Sequence, residues 1–247
     1  MHEHRSSNLT YHLTRIVLNL VLRVVYRRVS RGVSNVPRAG PVLLVANHQS
    51  NLDPPLIAGQ IHWRRLEYMA KAELFKSSWF GRFIGGLGAV PVKSDGGSNT
   101  AVIRTMLRRL NEGAAVLVFP EGVRTEDGAM QPFQLGVALL IKRSKCPVVP
   151  VAVEGCFQAW PRSHRRPVLR GVRVGVSFGE PISHEALMAD GAEAALDRLA
   201  DAVDTLRLDL RARLRRRTRG RFPPPGPADG PRLQQPAQPG RRREQDD

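Results

Sequence analysis

Short apolar runs rich in β-branched residues recur along the middle of this chain, separated by stretches with helical periodicity. The apolar runs lie at 42–46, 66–70, 89–92, 115–119, 148–153 and 172–178. The helical patterns between them lie near 54–60, 72–84, 98–112 and 134–144. Such alternation is typical of βαβ units, in which helices cover both faces of a parallel sheet. We therefore predict an α/β domain with a mostly parallel central sheet flanked by helices.

Positive charge is concentrated at the two ends of the chain. The formal net charge of +16 over 247 residues divides into +5 in residues 1–31, +7 in residues 211–247 and +4 in the remainder. A chain of this length can bury one α/β core and carry extensions. We predict a membrane-associating helix in 1–31, a folded domain at 32–216 that ends in a helical pattern over 183–216, and a disordered Pro/Arg-rich tail at 217–247.

The N-terminal pattern over 9–30 predicts one amphipathic helix with a narrow polar stripe. The stripe consists of His12, Arg15, Asn19, Arg23 and Arg27, and apolar side chains cover most of the remainder. Such a helix either packs deeply into a protein core or lies in a bilayer interface. A spanning helix needs about 20 consecutive apolar residues, and Arg23 interrupts this run. We favour the interfacial helix, which predicts a peripheral, monotopic protein at the cytoplasmic face of the cell membrane. The chain has only two cysteines and no disulfide framework, which fits a reducing compartment.

The apolar run 42–46 is followed by Asn47-His48-Gln49-Ser50-Asn51-Leu52-Asp53. Imidazole gains and loses a proton closest to neutral pH, so His48 suits a general base. A carboxylate on its other ring nitrogen would fix the tautomer and stabilise the imidazolium. Sites in open parallel sheets form beyond the carboxyl ends of strands, where both groups are expected. Asp53 before Pro54 also fits a helix N-cap, and one carboxylate can serve both roles.

A second turn follows the apolar run 115–119, with the sequence Phe119-Pro120-Glu121-Gly122-Val123-Arg124-Thr125. Gly122 allows a ligand to approach the backbone closely. Arg124 supplies a planar fork of donors that matches phosphate. Glu121 would accept a hydrogen bond from a substrate hydroxyl or hold Arg124 in place. Taken alone, this turn also fits an ordinary β-turn with a surface ion pair.

Five blocks in order resemble the glycerophospholipid acyltransferase family, in particular the bacterial 1-acylglycerol-3-phosphate acyltransferases. Two are the His48–Asp53 block and the Phe119–Arg124 block described above. The other three are Ala70-Lys71-Ala72-Glu73-Leu74-Phe75, Gly88-Ala89-Val90-Pro91-Val92-Lys93 and Val148-Val149-Pro150-Val151. Together the blocks span about 33–155, roughly half of the chain.

The resemblance implies transfer of a fatty acyl group from acyl-CoA or acyl carrier protein to the free hydroxyl of 1-acylglycerol 3-phosphate, giving phosphatidic acid. It implies His48 as general base, oriented and charge-balanced by Asp53. Lys93, Glu121, Gly122 and Arg124 would bind the glycerophosphate. It implies no metal and no resident cofactor, since the acyl donor is a substrate. The implied partners are the lysophospholipid acceptor, the acyl donor and a membrane lipid surface.

Three departures from the family pattern fall where the acceptor would be recognised. Val123 replaces the usual Thr, Lys93 replaces the usual Arg, and Gln134 stands where Lys or Arg is frequent. Another lysolipid, such as a lyso-ornithine lipid or a lysophospholipid with a head group, therefore stays open as the acceptor. The calculated pI of 11.3 also suggests a non-enzymatic nucleic-acid binder. Against this, the charge lies at the ends and aromatic residues do not alternate with it, so we expect no nucleic-acid partner.

Overall fold

The computed structural model of the protein describes residues 8–76, 78–92 and 99–232. The strands in these residues are β1 Val29–Arg31, β2 Val42–Ala46, β3 Leu66–Lys71, β4 Ala89–Val92, β5 Ala115–Val118, β6 Val148–Glu154 and β7 Gly175–Phe178. They form one sheet in the order β1-β7-β6-β2-β5-β3-β4. Neighbours are parallel except for the antiparallel pair β6–β7. The predicted α/β class with a mostly parallel sheet is confirmed.

The reversed direction of β7 brings distant parts of the chain to one edge of the sheet. Glu154, the last residue of β6, pairs with Gly175, the first residue of β7. Gly175 also pairs with Val29, the first residue of β1. The residues that precede β1 and β7 therefore lie at the edge where β2, β5 and β6 end. The helix predicted over 9–30 is therefore too long: α1 ends at Val24, and the three-residue strand β1, absent from the prediction, begins at Val29.

Helices cover both faces of the sheet. They are α1 Asn8–Val24, α2 Asp53–Gln60, α3 Ser78–Gly86, α4 Asn99–Asn111, α5 Leu135–Ser144, α6 Cys156–Ala159, α7 His184–Met188 and α8 Ala192–Arg217, with short 3-10 turns at 33–35, 72–75 and 227–229. Leu44 of β2 packs in one core cluster with residues of α1 and α2. Its neighbour Leu43 packs in another with residues of α4, α5 and α8. This alternation explains the unbroken apolarity of β2, which is buried on both sides.

Helix α1 lies against α2 with an apolar row facing away from the domain. Asn19, from the predicted polar stripe, donates from Nδ2 to the carbonyl of Gly59 at 2.6 Å, so part of the stripe faces the protein. Leu22 is buried in the same interface. The outward row consists of Ile16, Val17, Leu20, Val21 and Val24, with exposed fractions of 44–66%. Within the described residues, every helix is too short or too polar to cross a membrane.

The helical pattern predicted over 183–216 is interrupted. Helix α7 is capped by Ser183, whose Oγ accepts from the N–H of Ala186 at 3.2 Å, and it ends at Met188. Gly191 has φ of +91°, a conformation that favours glycine and separates α7 from α8. The two helices therefore replace the single helical segment of the prediction.

Residues 218–232, here called the C-terminal segment, pack onto α8. Phe222 and Ala228 are buried. Asp229 Oδ1 accepts from Arg211 Nε at 2.6 Å and from Arg215 Nη2 at 2.7 Å. The predicted start of a disordered tail at 217 is therefore too early, because these contacts order the chain beyond α8. Residues 233–247 of the predicted tail lie outside the described residues.

Candidate active site

His48 and Asp53 form a hydrogen-bonded pair beyond the end of β2. Nδ1 of His48 lies 2.8 Å from Oδ2 of Asp53. An ionised carboxylate only accepts hydrogen bonds, so this contact assigns the imidazole proton to Nδ1 and leaves a lone pair on Nε2. The His48 side chain is 18% exposed, whereas that of Asp53 is fully buried. The pair therefore has the arrangement of a general base held by a buried carboxylate.

The Asp53 carboxylate is fixed by the loop that precedes α2. Its Oδ2 accepts from the backbone N–H groups of Gln49 and Ser50, each at 2.6 Å, in addition to His48. Helix α2 begins at Asp53 itself, with Leu52 at the N-cap position and no side-chain cap. The N-cap interpretation of Asp53 is therefore wrong: the carboxylate reaches back to the loop. Charge-assisted bonds of this kind hold the acceptor in one geometry.

Cys156 lies beside the His48–Asp53 pair as a buried thiol. Burial raises the pKa of the Cys156 thiol well above its ordinary value, and the Asp53 carboxylate raises it further. A neutral thiol adds no second negative charge next to Asp53. The environment of the pair thus contains a small uncharged group at the start of α6.

Asn47 joins the loop after β2 to β6 by extending the sheet with its side chain. Its Nδ2 donates to the carbonyl of Val153 at 3.0 Å, and its Oδ1 accepts from the N–H of Val153 at 2.8 Å. Asn47 is 1% exposed, so these bonds replace water for both backbone groups. The residue before His48 is therefore held in register with the neighbouring strand.

Gln49 links the same loop to a buried ionic network that the sequence reasoning missed. Its Oε1 accepts from the N–H of Cys156 at 3.1 Å, and its Nε2 donates to Glu154 Oε2 at 3.4 Å. Glu154 is fully buried at the end of β6, and its Oε1 accepts from Arg211 of α8 at 2.7 Å. Helix α8 is therefore linked to the loop after β2 by Arg211, through the side chains of Glu154 and Gln49.

The buried side chain of Glu121 connects the loop after β5 to the loop after β2. Its Oε1 accepts from the backbone N–H of His48 at 2.6 Å, and its Oε2 accepts from the N–H of Gln131 at 2.8 Å. The side chain is buried, which raises the pKa of Glu121 to about 8, partly opposed by these two hydrogen bonds. These contacts give Glu121 a positioning role, and its predicted contact with glycerophosphate stays a prediction.

Phe119 and Gly122 shape the turn that follows β5. The Phe119 ring stacks on the His48 imidazole, with centroids 4.1 Å apart and planes 21° apart. Gly122 has φ of +72°, and a Cβ there would lie 2.3 Å from Nε2 of Gln134. Gln134 in turn donates from Nε2 to the carbonyl of Glu121 at 3.2 Å. The backbone conformation therefore favours glycine, whereas a Cβ there would require only a shift of the end of the exposed Gln134 side chain.

The Arg124 guanidinium is the positively charged group of this turn. It is half-buried, and among the described residues no carboxylate lies within ion-pair distance of its guanidinium. Burial lowers the pKa of Arg124, and the nearby Arg162 lowers it further. Arg162 itself lies 3.5 Å from Glu126 Oε1, so of these two guanidinium groups Arg124 is the one without a carboxylate partner among the described residues.

The structure brings most of the predicted site together. His48, Glu121, Gly122 and Arg124 lie on the loops that follow β2 and β5, which pair directly in the sheet, and Asp53 is the first residue of α2, at the end of the loop after β2. Lys93 lies outside the described residues. Asn47, Gln49, Glu154 and Arg211 carry a supporting role that the sequence analysis did not assign. Asn47, Gln49 and Glu154 carry a signal in the sequence, as polar side chains after or at the end of a buried apolar run, whereas Arg211 lies within α8 and has no such signal.

Comparisons with known proteins agree on one family. The family model described as Acyltransferase matches residues 27–154. The chain is 30% identical over 152 residues to the 1-acyl-sn-glycerol-3-phosphate acyltransferase of Bacillus subtilis, covering 62% of this chain and 71% of that protein. It is 28% identical over 178 residues to 1-acyl-sn-glycerol-3-phosphate acyltransferase alpha of Mus musculus, covering 71% of this chain and 62% of that protein.

A solved structure shares the fold. The crystal structure of the 1-acyl-sn-glycerophosphate acyltransferase PlsC from Thermotoga maritima superimposes with a TM-score of 0.64 at 24% sequence identity. The similarity covers 84% of this chain and 85% of that chain. The match of the family model extends over more than half of the sequence and includes both strand-end loops. The chain therefore belongs to the acyltransferase family.

Proposed function

We propose that this enzyme transfers an acyl group from a thioester of coenzyme A or acyl carrier protein to 1-acylglycerol 3-phosphate, forming phosphatidic acid. The observation that carries the proposal is the 2.8 Å His48–Asp53 pair next to an Arg124 guanidinium with no carboxylate partner among the described residues. The relatives reported above that carry this name support the choice of acceptor. The reaction requires no resident cofactor, because the thioester is already activated.

His48 acts as the general base. Its Nε2 takes the proton of the acceptor hydroxyl while the hydroxyl oxygen attacks the thioester carbonyl carbon. Asp53 stabilises the imidazolium that forms, and Phe119 keeps the ring plane fixed by stacking. When the tetrahedral intermediate collapses, the C–S bond breaks and the imidazolium returns the proton to the leaving thiolate. General-base catalysis of this kind contributes roughly 10²–10⁴-fold.

Arg124 binds the phosphate of the acceptor. A phosphate monoester offers several acceptor oxygens to a planar guanidinium, and Arg162 adds a second positive charge nearby. Lys93, which follows β4 in the sequence, is proposed to assist. Glu121 contributes by holding the His48 backbone in place beneath the acceptor. The phosphate would thus fix the hydroxyl next to Nε2, which converts binding energy into orientation.

The enzyme is proposed to associate peripherally with the cytoplasmic face of the membrane. The exposed row of α1 includes Ile16 at 57%, Leu20 at 60% and Val24 at 66% exposure. An apolar helix face of this kind gains free energy by entering the boundary between head groups and acyl chains. The lysophospholipid acceptor resides at that same interface, so association there delivers the substrate.

The catalytic proposal is tested with purified His48→Ala enzyme, assayed on 1-acylglycerol 3-phosphate with a panel of acyl thioesters. We expect kcat to fall by roughly 10²–10⁴-fold, because the base is removed. His62→Ala is the matched control, since His62 is exposed on a surface loop away from the pair. Undiminished transfer by the His48→Ala enzyme would falsify the mechanism. Transfer by the wild type only to a different lysolipid would retain the mechanism and reject the acceptor.

The membrane proposal is tested with an Ile16→Gln, Leu20→Gln double variant in a vesicle flotation assay. We expect a loss of vesicle binding, because two apolar side chains no longer enter the interface. The matched control is Leu135→Gln with Leu139→Gln, which removes two exposed leucines from α5 on the other side of the sheet. Equal binding by both double variants would count against α1 as the membrane contact.

A further inference from the structure

A cavity lies at the end of α1, away from the His48–Asp53 pair. Its volume is about 1060 Å³, and its walls come from the end of α1, the loop before β7 and the C-terminal segment. Six arginines line it, and its described lining contains no Asp or Glu. We call it the arginine cavity and define it by these side chains: Arg27, Arg170, Arg173, Arg217, Arg219 and Arg221.

The positive charge of the arginine cavity is not neutralised by the described part of the protein. None of the six guanidinium groups has a carboxylate within ion-pair distance there. Burial lowers the pKa of Arg173, and the nearby Arg27, Arg217 and Arg221 lower it further. By contrast, Arg211 and Arg215 of the same helix α8 both bind Asp229. Six unneutralised cations around one concave surface are a site for a polyvalent anion.

The rim of the arginine cavity is apolar on one side. Val24, the last residue of α1, lines the cavity and is 66% exposed, and Leu169 lines it with 57% exposure. Val24 also ends the outward apolar row of α1. An anion bound here would therefore lie next to an exposed apolar surface. A ligand with a phosphate head group and acyl chains matches both features.

The cavity lies at the catalytic edge of the sheet but is separate from the acceptor site. Arg27 precedes β1 and Arg173 precedes β7, and these strands begin where β6 ends. Strand β1 is three positions from β2 in the sheet order, which at about 4.8 Å per strand places it roughly 14 Å away. The arginine cavity is therefore a second anion site beside the one at Arg124.

We propose that the arginine cavity binds the phosphate head group of an anionic membrane phospholipid, whose acyl chains lie along the apolar row of α1. The inference rests on the proposed membrane association and specifies its ligand class. A lipid is favoured over an acidic protein because the charged cavity continues into an exposed apolar row. Binding at this position would turn the catalytic edge toward the bilayer, with His48 facing the pool of lysolipid.

The test compares wild type with an Arg27→Gln, Arg173→Gln, Arg217→Gln triple variant in a vesicle co-sedimentation assay. Vesicles of phosphatidylcholine alone are compared with vesicles that also contain phosphatidylglycerol. We expect the triple variant to lose roughly 100-fold in affinity for anionic vesicles, since each basic side chain near an anionic leaflet contributes about fivefold. The matched control is Arg104→Gln, Arg108→Gln and Arg143→Gln, three exposed arginines of α4 and α5.

The outcomes separate this inference from the proposed function. Selective loss of anionic-vesicle binding in the triple variant supports the site, and equal loss in both triple variants overturns it. Equal wild-type binding to neutral and anionic vesicles overturns the head-group site but leaves the membrane association intact. If the wild type binds neither kind of vesicle, both the head-group site and the proposed membrane association are overturned. Wild-type binding to purified acyl carrier protein, lost in the triple variant without any change in vesicle binding, assigns the cavity to a protein partner and rejects the lipid. Because no arm measures acyl transfer, the catalytic proposal is tested independently.

Discussion

The catalytic loops and the arginine cavity lie at the same edge of the sheet, yet their charged groups are arranged in opposite ways. At the catalytic loops the anionic groups have internal partners: Asp53 binds His48 and two backbone N–H groups, and Glu154 binds Arg211. In the arginine cavity the six cations have no carboxylate partner among the described residues. The charges of the first region are thus paired within the protein, whereas those of the second are unpaired among the described residues.

This difference predicts which substitutions damage the protein. Removing one member of an internal pair leaves the other member buried without a partner, which is costly. Removing a cation that has no partner leaves nothing unsatisfied. Substitutions at the catalytic edge should therefore reduce activity or stability, and those in the cavity should alter binding alone. Four experiments test this contrast, from the largest expected effect to the smallest.

Asp53→Asn should produce the largest loss. The amide cannot replace a charged acceptor shared by His48 and two N–H groups, so the imidazole loses its fixed tautomer and the partner for its positive charge. We expect kcat to fall by roughly 10²–10⁴-fold in the acyl-transfer assay. Asp209→Asn, in an exposed ion pair of α8, is the control. Full activity of the Asp53→Asn enzyme would remove Asp53 from the mechanism.

Arg211→Met should cause the largest loss of stability. It removes the guanidinium 2.7 Å from the buried Glu154 and leaves only Arg207, 3.9 Å away, and breaking a buried pair typically costs about 3–5 kcal/mol. Arg213→Met on the same helix breaks a partly exposed pair with Asp209 and should cost about 1 kcal/mol or less. Urea denaturation of the two variants and of the wild type measures both losses in the free energy of unfolding. Adding Glu154→Gln to Arg211→Met should recover part of the loss, and equal destabilisation by the two single variants would contradict the prediction.

Glu121→Gln should change how stability depends on pH. The pKa of Glu121 in the folded protein is about 8, above its ordinary value of 4.5, so the native state keeps a proton that the unfolded chain releases between these values. The stability that this group contributes is complete below pH 4.5 and declines as the pH rises toward 8. We expect the free energy of unfolding of wild type, relative to the variant, to fall over this range. Parallel pH profiles in urea denaturation would show that Glu121 does not titrate this way.

Arg217→Gln should have the smallest effect on stability. The guanidinium is exposed and has no carboxylate partner among the described residues, so the free energy of unfolding should change by about 0.5 kcal/mol or less. Thermal denaturation at low salt measures this. A loss similar to that of Arg211→Met would mean that the arginine cavity is part of the folded framework and not a binding surface.

The sequence predicts those parts of the fold that depend on local pattern. The buried runs of β2, β5 and β6 and the residues that follow β2 and β5 lie where their apolarity and spacing indicate. Strand β1 is missed because its three residues give too short a pattern of their own and adjoin the helical pattern predicted over 9–30. The C-terminal segment has a composition typical of disorder, but Asp229 binds arginines of α8, a contact between residues at least 14 positions apart that composition does not reveal.

The same limit applies to the site. The spacing of His48 and Asp53 indicates the pair, whereas the position of Glu121 depends on the N–H of His48, 73 residues earlier in the chain. A strand-end carboxylate can face either the substrate or the interior, and only the packed loops decide which. The N-cap interpretation of Asp53 fails for a related reason. The local sequence favours capping of the N–H groups of α2 by the Asp53 side chain. In the folded protein, Asp53 Oδ2 instead accepts from the N–H groups of Gln49 and Ser50 and contacts His48.

The buried thiol beside Asp53 provides a native reporter of local opening. Cys156 packs in the core cluster on the α1 side of the sheet, and Cys146 packs in the cluster on the α5 side. Burial raises the pKa of both thiols, so each resists alkylation while its face stays closed. Their separate labelling rates therefore measure how often each face of the sheet opens. The chain thus carries one thiol that reports on the face of the sheet holding Asp53 and another that reports on the opposite face.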